Sequence, residues 1–207
     1  MKNTIDRLIK IGVWTTVLLL IIRCIPDRGT LIELWMERRV GELIYSIVGY
    51  VGEAIAVSFI LMKAFDLWVW KWPIVRRIIK TPVLYKEYKG KIISSYDDNK
   101  EYKGTLSIKQ TYTSISIRFK TKESSSYSIT AAIVENNDVN QLIYTYQNDP
   151  KANIQKRSPI HHGTAILEID NVERIEGNYF TERGHSGSMV FLCQKKPGGG
   201  QTKRKKK

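Results

Sequence analysis

The chain has 207 residues, of which 33 are basic and 20 acidic, for a formal charge of +13. With 43% hydrophobic and 26% charged residues its composition is globular, which excludes a chain disordered throughout. The charge is unevenly spread: residues 1–82 carry 12 basic and 7 acidic side chains, residues 83–193 carry 14 and 13, and residues 194–207 carry 7 and none. A near-neutral centre argues against DNA or RNA polymers as partners, because these need many clustered phosphate contacts. Cys24 and Cys193 alone cannot build a disulfide framework or a thiolate metal cluster. All five tryptophans precede residue 73, so two different materials are joined in one chain.

Residues 1–62 predict a two-helix transmembrane hairpin. From Leu8 to Ile25 the chain is apolar apart from Lys10, Arg23, Cys24 and two threonines. The uninterrupted stretch 11–22 is short for a span, but Lys10 and Arg23 at its ends can snorkel to the headgroups. A cleaved signal peptide is the rival reading, since Lys2, Arg7 and Lys10 resemble a basic leader; the bulky residues 21–26 offer it no cleavage site. Residues 43–62 match the roughly 20 needed to cross a hydrocarbon core. Their single charge is Glu53, and Ser46, Gly49, Gly52 and Ala56 fall beside it three to four apart. Such a stripe of small residues lets helices approach closely. Ser46, Gly49, Gly52, Glu53 and Ala56 are therefore the expected transmembrane association surface, with Glu53 turned to the seam and away from lipid.

Residues 63–82 read as an interfacial linker. Trp68, Trp70 and Trp72 lie among Lys63, Lys71, Arg76, Arg77 and Lys80, and Pro73 breaks the helix there. Basic residues before the first span and after the second place both termini, and the large domain, in the cytoplasm.

Residues 83–193 alternate β-branched, aromatic and Ser/Thr residues over short runs with frequent turn signals, which predicts an all-β domain. The expected strands are 85–94, 103–110, 114–121, 126–134, 141–148, 161–170, 173–180 and 187–193. Leu106/Ile108, Ile115/Ile117/Phe119, Leu142/Tyr144/Tyr146 and Ala165/Leu167/Ile169 each share a face. Asp170-Asn171 suits a two-residue hairpin turn and residues 135–138 a longer one. The fold class is thus a membrane-anchored α part followed by a compact eight-stranded antiparallel β-barrel, with a two-sheet sandwich as the alternative. Closure hides the edges of short strands, and eight strands leave an interior just filled or able to hold one small ligand.

In an up-and-down order the mouth far from the membrane collects residues 97–101, 121–125, 149–160 and 181–186. The loop 149–160 is the longest, and long loops in compact domains are more often functional. Tyr127, Tyr146, Asn148, His161 and Tyr179 should face inward near this mouth, with Gly163 and Gly177 in the same phase leaving space. Arg157 and Arg183 belong to the rim. Tyrosine faces stack on bases, arginine clamps phosphate, and Ser124, Ser126, Asn148 and His161 can hydrogen-bond base edges. These nine residues suit a small anionic ring compound with bases.

Enzyme readings fare worse. Adjacent His161 and His162 on a strand point to opposite faces and cannot chelate one ion. Gly184-His185-Ser186-Gly187 resembles a nucleophile elbow, but position 188 is Ser and the segment sits in a hairpin. No catalytic residue, metal or cofactor is therefore expected. The tail 194–207, with Lys195, Lys196 and Lys203–Lys207, reads as disordered, able to lie against anionic lipid.

The whole resembles the bacterial CBASS antiphage effectors that join two transmembrane helices to a cyclic-dinucleotide-sensing β-barrel. The resemblance covers roughly residues 1–193. Its barrel stretches are Tyr88-Lys89-Gly90, Gly104 to Gln110, Ser124-Ser125-Ser126, Tyr144-Thr145-Tyr146-Gln147-Asn148, His162-Gly163-Thr164-Ala165 and Gly177-Asn178-Tyr179-Phe180; the lysine-rich tail departs from the family. It implies a non-enzymatic receptor at the bacterial inner membrane for a cyclic dinucleotide made by a partner nucleotidyltransferase. It further implies a homo-oligomer on activation that disrupts the lipid bilayer and causes abortive infection. Two other readings stand beside it: a membrane-tethered lipocalin-like barrel for a hydrophobic molecule, and a ligandless scaffold that recruits proteins through its exterior.

Overall fold

The computed structural model describes residues 2–95 and 99–194. Asp97 and Asp98, expected at the far mouth, and the basic tail from Lys195 lie outside the described residues. The chain divides into two compact units, one of residues 1–80 with Thr111–Thr113 and one of the remainder.

The first unit is helical: α1 (Lys2–Cys24), α2 (Arg28–Met36), α3 (Val40–Leu67), a single 3-10 turn (Val69–Lys71) and α4 (Pro73–Ile79). α1 stops two residues before Pro26, which lacks an N–H and disfavours helical backbone at Ile25. The chain then turns by 74° into α2. That helix forms between the two expected spans, where Leu31, Ile32, Leu34, Trp35 and Met36 outweigh the single Glu33. Val40–Lys71 is long and apolar enough to cross a membrane, whereas Ile5–Cys24 with Arg28–Met36 qualifies only as a bent pair. The first of the two expected spans is the helix α1, which meets the length and hydropathy of a span only together with α2.

α1 packs along α3, and a Cβ added at Gly12 would collide with Met62 Sδ. Arg23 does not reach outward as a snorkelling residue would. Its Nη1 donates to Asp27 Oδ2 at 2.6 Å, its Nε donates to Glu53 Oε2 at 3.1 Å, and its Cζ lies 4.4 Å from the Tyr50 ring centroid. Trp70 is fully buried, 6.2 Å from Tyr112, whereas Trp68 and Trp72 are exposed. Pro73 takes the first position of α4, where its missing N–H is no loss, and so starts a helix as well as ending the segment before it. The buried Asp66 accepts from the Thr113 N–H and hydroxyl at 2.9 and 2.8 Å, which fixes Thr111–Thr113 in this unit.

The second unit is an eight-stranded barrel: β1 (Glu87–Ser94), β2 (Lys100–Gln110), β3 (Ile115–Thr121), β4 (Ser124–Asn136), β5 (Val139–Pro150), β6 (His161–Glu168), β7 (Arg174–Thr181) and β8 (Ser186–Cys193). Each strand pairs antiparallel with its sequence neighbour, and β1 closes on β8 from Tyr88↔Cys193 to Ser94↔Gly187. All eight expected strands are present, within a few residues at their ends.

Period-two alternation then divides the interior along its length. One half is filled by Tyr88, Leu106, Leu142, Leu167, Ile169, Ile175 and Phe191, none of them exposed. Full burial stabilises each such side chain by about 1.5–3 kcal/mol over leaving it in water. Tyr88 Oη donates to the Val172 carbonyl at 2.8 Å and accepts from the Tyr85 N–H at 3.1 Å, and burial pushes its phenol up to about 12. The other half is lined by more polar residues and stays open.

Two local features differ from expectation. The β4–β5 connection is the tight one: Asn137 and Asp138 carry φ of 50° and 63°, the left-handed pair of a type I′ turn. The β6–β7 connection runs over residues 169–173, with Asp170 Oδ1 accepting from Asn140 N and Nδ2 across to the next hairpin. β4 also contains a bulge between Ser128 and Thr130, which inserts one residue and reverses the inward phase beyond it. Asp138→Val should destabilise the detergent-solubilised chain by about 1–2 kcal/mol, since a β-branched residue resists left-handed backbone; thermal unfolding reads the change.

Candidate functional site

The open half of the barrel is a cup with an enclosed volume of about 120 Å³ that opens to solvent at its mouth. Its floor is Phe119, Tyr144, Met189 and Ile92; its walls carry Tyr102, Tyr146, Tyr179, Ser94, Ser126 and Asn148. The rim comes from the loops after β3, β5 and β7, with Glu123, Ile154, Arg157, Ser158, Arg183 and His185, and from His161 at the start of β6.

Eight of the nine expected ligand residues line this one cavity: Ser124, Ser126, Tyr146, Asn148, Arg157, His161, Tyr179 and Arg183. Tyr127 does not. It is 44% exposed on the barrel exterior, its ring 5.0 Å from the Arg118 guanidinium. Counting back by twos from buried Ala131 puts Tyr127 inside, but the bulge shifts the phase and turns Ser126 inward.

The expected gaps at Gly163 and Gly177 are also not spaces. A Cβ at Gly163 would lie 2.5 Å from Tyr146 Oη, and one at Gly177 would strike the Ile166 carbonyl. Gly163 pairs with Tyr146, and Gly187 pairs with Tyr179, whose ring would lie 2.6 Å from a Cβ there. Tyr146 and Tyr179 thus each lie over a glycine on the adjacent strand, which fixes the ring without enlarging the cup. Burial raises the phenol pKa of Tyr144, Tyr146 and Tyr179, so all three enter neutral solution as protonated hydrogen-bond donors.

The polar groups are held by local partners. Ser126 Oγ donates to Asn148 Oδ1 at 2.9 Å, both buried, which leaves the amide NH2 as the group to offer a ligand. The Pro159 carbonyl can only accept, so His161 Nδ1, 2.9 Å away, carries a proton, and Nε2 of the neutral ring is an acceptor. His162 points the other way, to Glu182, whose carboxyl is held below its usual range by the His162 N–H and ring. Arg157 Nη2 donates to Glu123 Oε2 at 2.7 Å. Among the described residues Glu123 supplies the one carboxylate of the lining, against Arg157, Arg183 and two histidines.

Ser94, Tyr102, Glu123, Tyr144, Thr181 and His185 complete the cup beyond the expected set. Ser94, Tyr102 and Tyr144 could have been found from the same period of two that identified Tyr146.

The family comparison covers this unit. Residues 79–193 match the model for the Cap15 cyclic dinucleotide receptor domain. This chain belongs to the Cap15 family. A relative from Staphylococcus schleiferi, CD-NTase-associated protein 15, is 30% identical over 91% of this chain and 97% of its own length. One of the same description from Yersinia aleksiciae is 35% identical over 44% of this chain and 45% of its own. The solved structure of a redesigned β-barrel, mFAP1, bound to DFHBI covers 53% of this chain and 94% of its own, at 13% identity and a TM-score of 0.38, too low to carry weight. Membership in Cap15 agrees with the resemblance to CBASS effectors and with a cyclic-dinucleotide receptor in place of an enzyme.

In this Cap15 chain, Glu123→Gln should raise affinity for an anionic cyclic dinucleotide by about two- to tenfold, because it releases Arg157 and removes negative charge from the rim. Titration calorimetry at low and high salt checks it: the gain should shrink as ionic strength rises.

Proposed function

We propose that the chain is a CBASS effector that takes a cyclic dinucleotide into the open half of its barrel, associates through its helices and disrupts the bacterial inner membrane. The observation that carries this reading is the convergence of Ser124, Ser126, Tyr146, Asn148, Arg157, His161, Tyr179 and Arg183 on one basic-rimmed cup within the span of the receptor domain. Tyrosine faces stack on bases, the arginines meet the two phosphates, and the Asn148 amide and His161 read base edges.

Val40–Lys71 crosses the membrane in this reading, with α1 and α2 as a bent companion, both termini and the barrel cytoplasmic, and residues 63–82 at the interface. One or two helices per chain cannot enclose a path through lipid, so damage needs several chains. Gly49 and Gly52 have nothing within 4 Å of where a Cβ would stand, and Ala56 is exposed. The intramolecular face of α3 is instead built of Ala54, Ser58 and Met62, which supports Ser46, Gly49, Gly52 and Ala56 as a surface left for a second copy. Glu53 stays with Arg23 at the edge of that surface. The ligand drives association by binding the assembled state more tightly than the monomer, and the loop over residues 151–160 at the mouth is where a neighbour could add contacts.

The test is to titrate cyclic dinucleotides onto the full chain in nanodiscs or detergent and to measure binding and particle mass together. Binding with an increase in mass is expected, and a chain that stays monomeric at saturation would count against association. Asn148→Ala should weaken binding about tenfold. Gly49→Leu should abolish toxicity in cells while the chain still binds ligand, its affinity lowered by no more than the assembled state adds, which separates an effector from a receptor with no membrane action.

A further inference from the structure

Four tyrosines are buried in the barrel interior: Tyr88, Tyr144, Tyr146 and Tyr179. The hydroxyl of Tyr88 is served by the Val172 carbonyl and the Tyr85 N–H, and that of Tyr179 by Ser94. Tyr144 differs. It is 2% exposed, and its buried Oη meets no hydrogen-bond partner among the described residues. In register Tyr144 pairs with Ala131 on β4 and Ala165 on β6, both buried and neither carrying a polar side chain. Its nearest ring is Tyr146, 5.9 Å away. A position that required only packing would be served by phenylalanine, because a buried hydroxyl without a partner is destabilising. Yet this residue lies on the floor of the cup, beside Phe119 and Met189.

We infer that Tyr144 is a specificity-determining residue at the floor of the cup, its hydroxyl donating to an exocyclic carbonyl oxygen of the base that enters deepest. The inference rests on the receptor reading above. A phenol donates better than it accepts, because its oxygen lone pair is delocalised into the ring, and here it stays protonated. Guanine and uracil offer an exocyclic carbonyl oxygen to such a donor, whereas the exocyclic group of adenine is an amino group and its acceptors are ring nitrogens set closer to the ring centre. A site built to hydrogen-bond one group discriminates strongly against an analogue lacking it, since the buried partner is then left unpaired.

Calorimetry on the full chain in nanodiscs tests this, with cyclic di-GMP, cyclic di-UMP, cyclic GMP-AMP and cyclic di-AMP as probes. The wild type should bind at least one carbonyl-bearing ligand about tenfold tighter than cyclic di-AMP. Tyr144→Phe should lose about tenfold on that ligand, leave cyclic di-AMP within twofold, and keep or raise the Tm of the free protein. Equal losses on every ligand, an unchanged affinity in Tyr144→Phe, or a wild type that prefers cyclic di-AMP would each overturn the inference and leave the receptor reading standing. A wild type that binds none of the four would instead remove the receptor reading, and the inference with it.

Discussion

Closure of the sheet is the constraint on which the rest depends. Because β8 returns to pair with β1, the first and last strands have no free edge, and inside and outside become fixed sets of residues. With eight strands the enclosed width accommodates little more than side chains, so the size of those side chains decides whether a given level is solid or hollow. Large apolar residues at one end make a plug. Serines, an asparagine, a histidine and tyrosines lying against glycines make a cup at the other. A receptor needs both: the plug supplies the stability that a polar cavity gives up.

The cup itself combines stiff and adjustable parts. Tyr146 and Tyr179 are held by ladder hydrogen bonds beneath them and by glycines at which any side chain would collide. The Ser126–Asn148 bond lies in the same rigid framework. At the rim, by contrast, Arg157 is held to Glu123 by an exposed ion pair, the kind that contributes little and exchanges readily with other partners. Groups that read a ligand's shape are thus fixed in advance, and groups that meet its charge are free to re-pair.

The barrel was legible in the sequence because period-two alternation is written strand by strand and depends on no long-range information. Leu142, Tyr144, Tyr146 and Asn148 follow it over the length of β5, and the register to β6 confirms every one. What was hidden depends on single-residue insertions or on chemistry at a distance. The bulge at Ser128 leaves no mark in the composition of β4, yet it decided between Ser126 and Tyr127. The turn at Asn137-Asp138 and the loop after Ile169 were exchanged because Asp and Asn suit both; only the backbone tells them apart. In the helical unit, the nine residues of α2 are too few to mark a span of their own, and Arg23 was assigned to headgroups because Asp27 and Glu53 are its partners only once the chain has turned back on itself.

The cup has no internal symmetry. Tyr144, Tyr146 and Asn148 stand on one strand, while Ile92 and Ser94 on another and Met189 on a third offer nothing equivalent. A molecule made of two identical nucleotides can enter such a vessel by two indistinguishable orientations, and a molecule made of two different ones by a single best orientation. The homodimeric ligand therefore carries a statistical advantage of about 0.4 kcal/mol before any contact is counted. A mixed ligand must exceed that through the unlike surroundings of its two halves, so that a single chain registers not only that a messenger is present but which way round it lies.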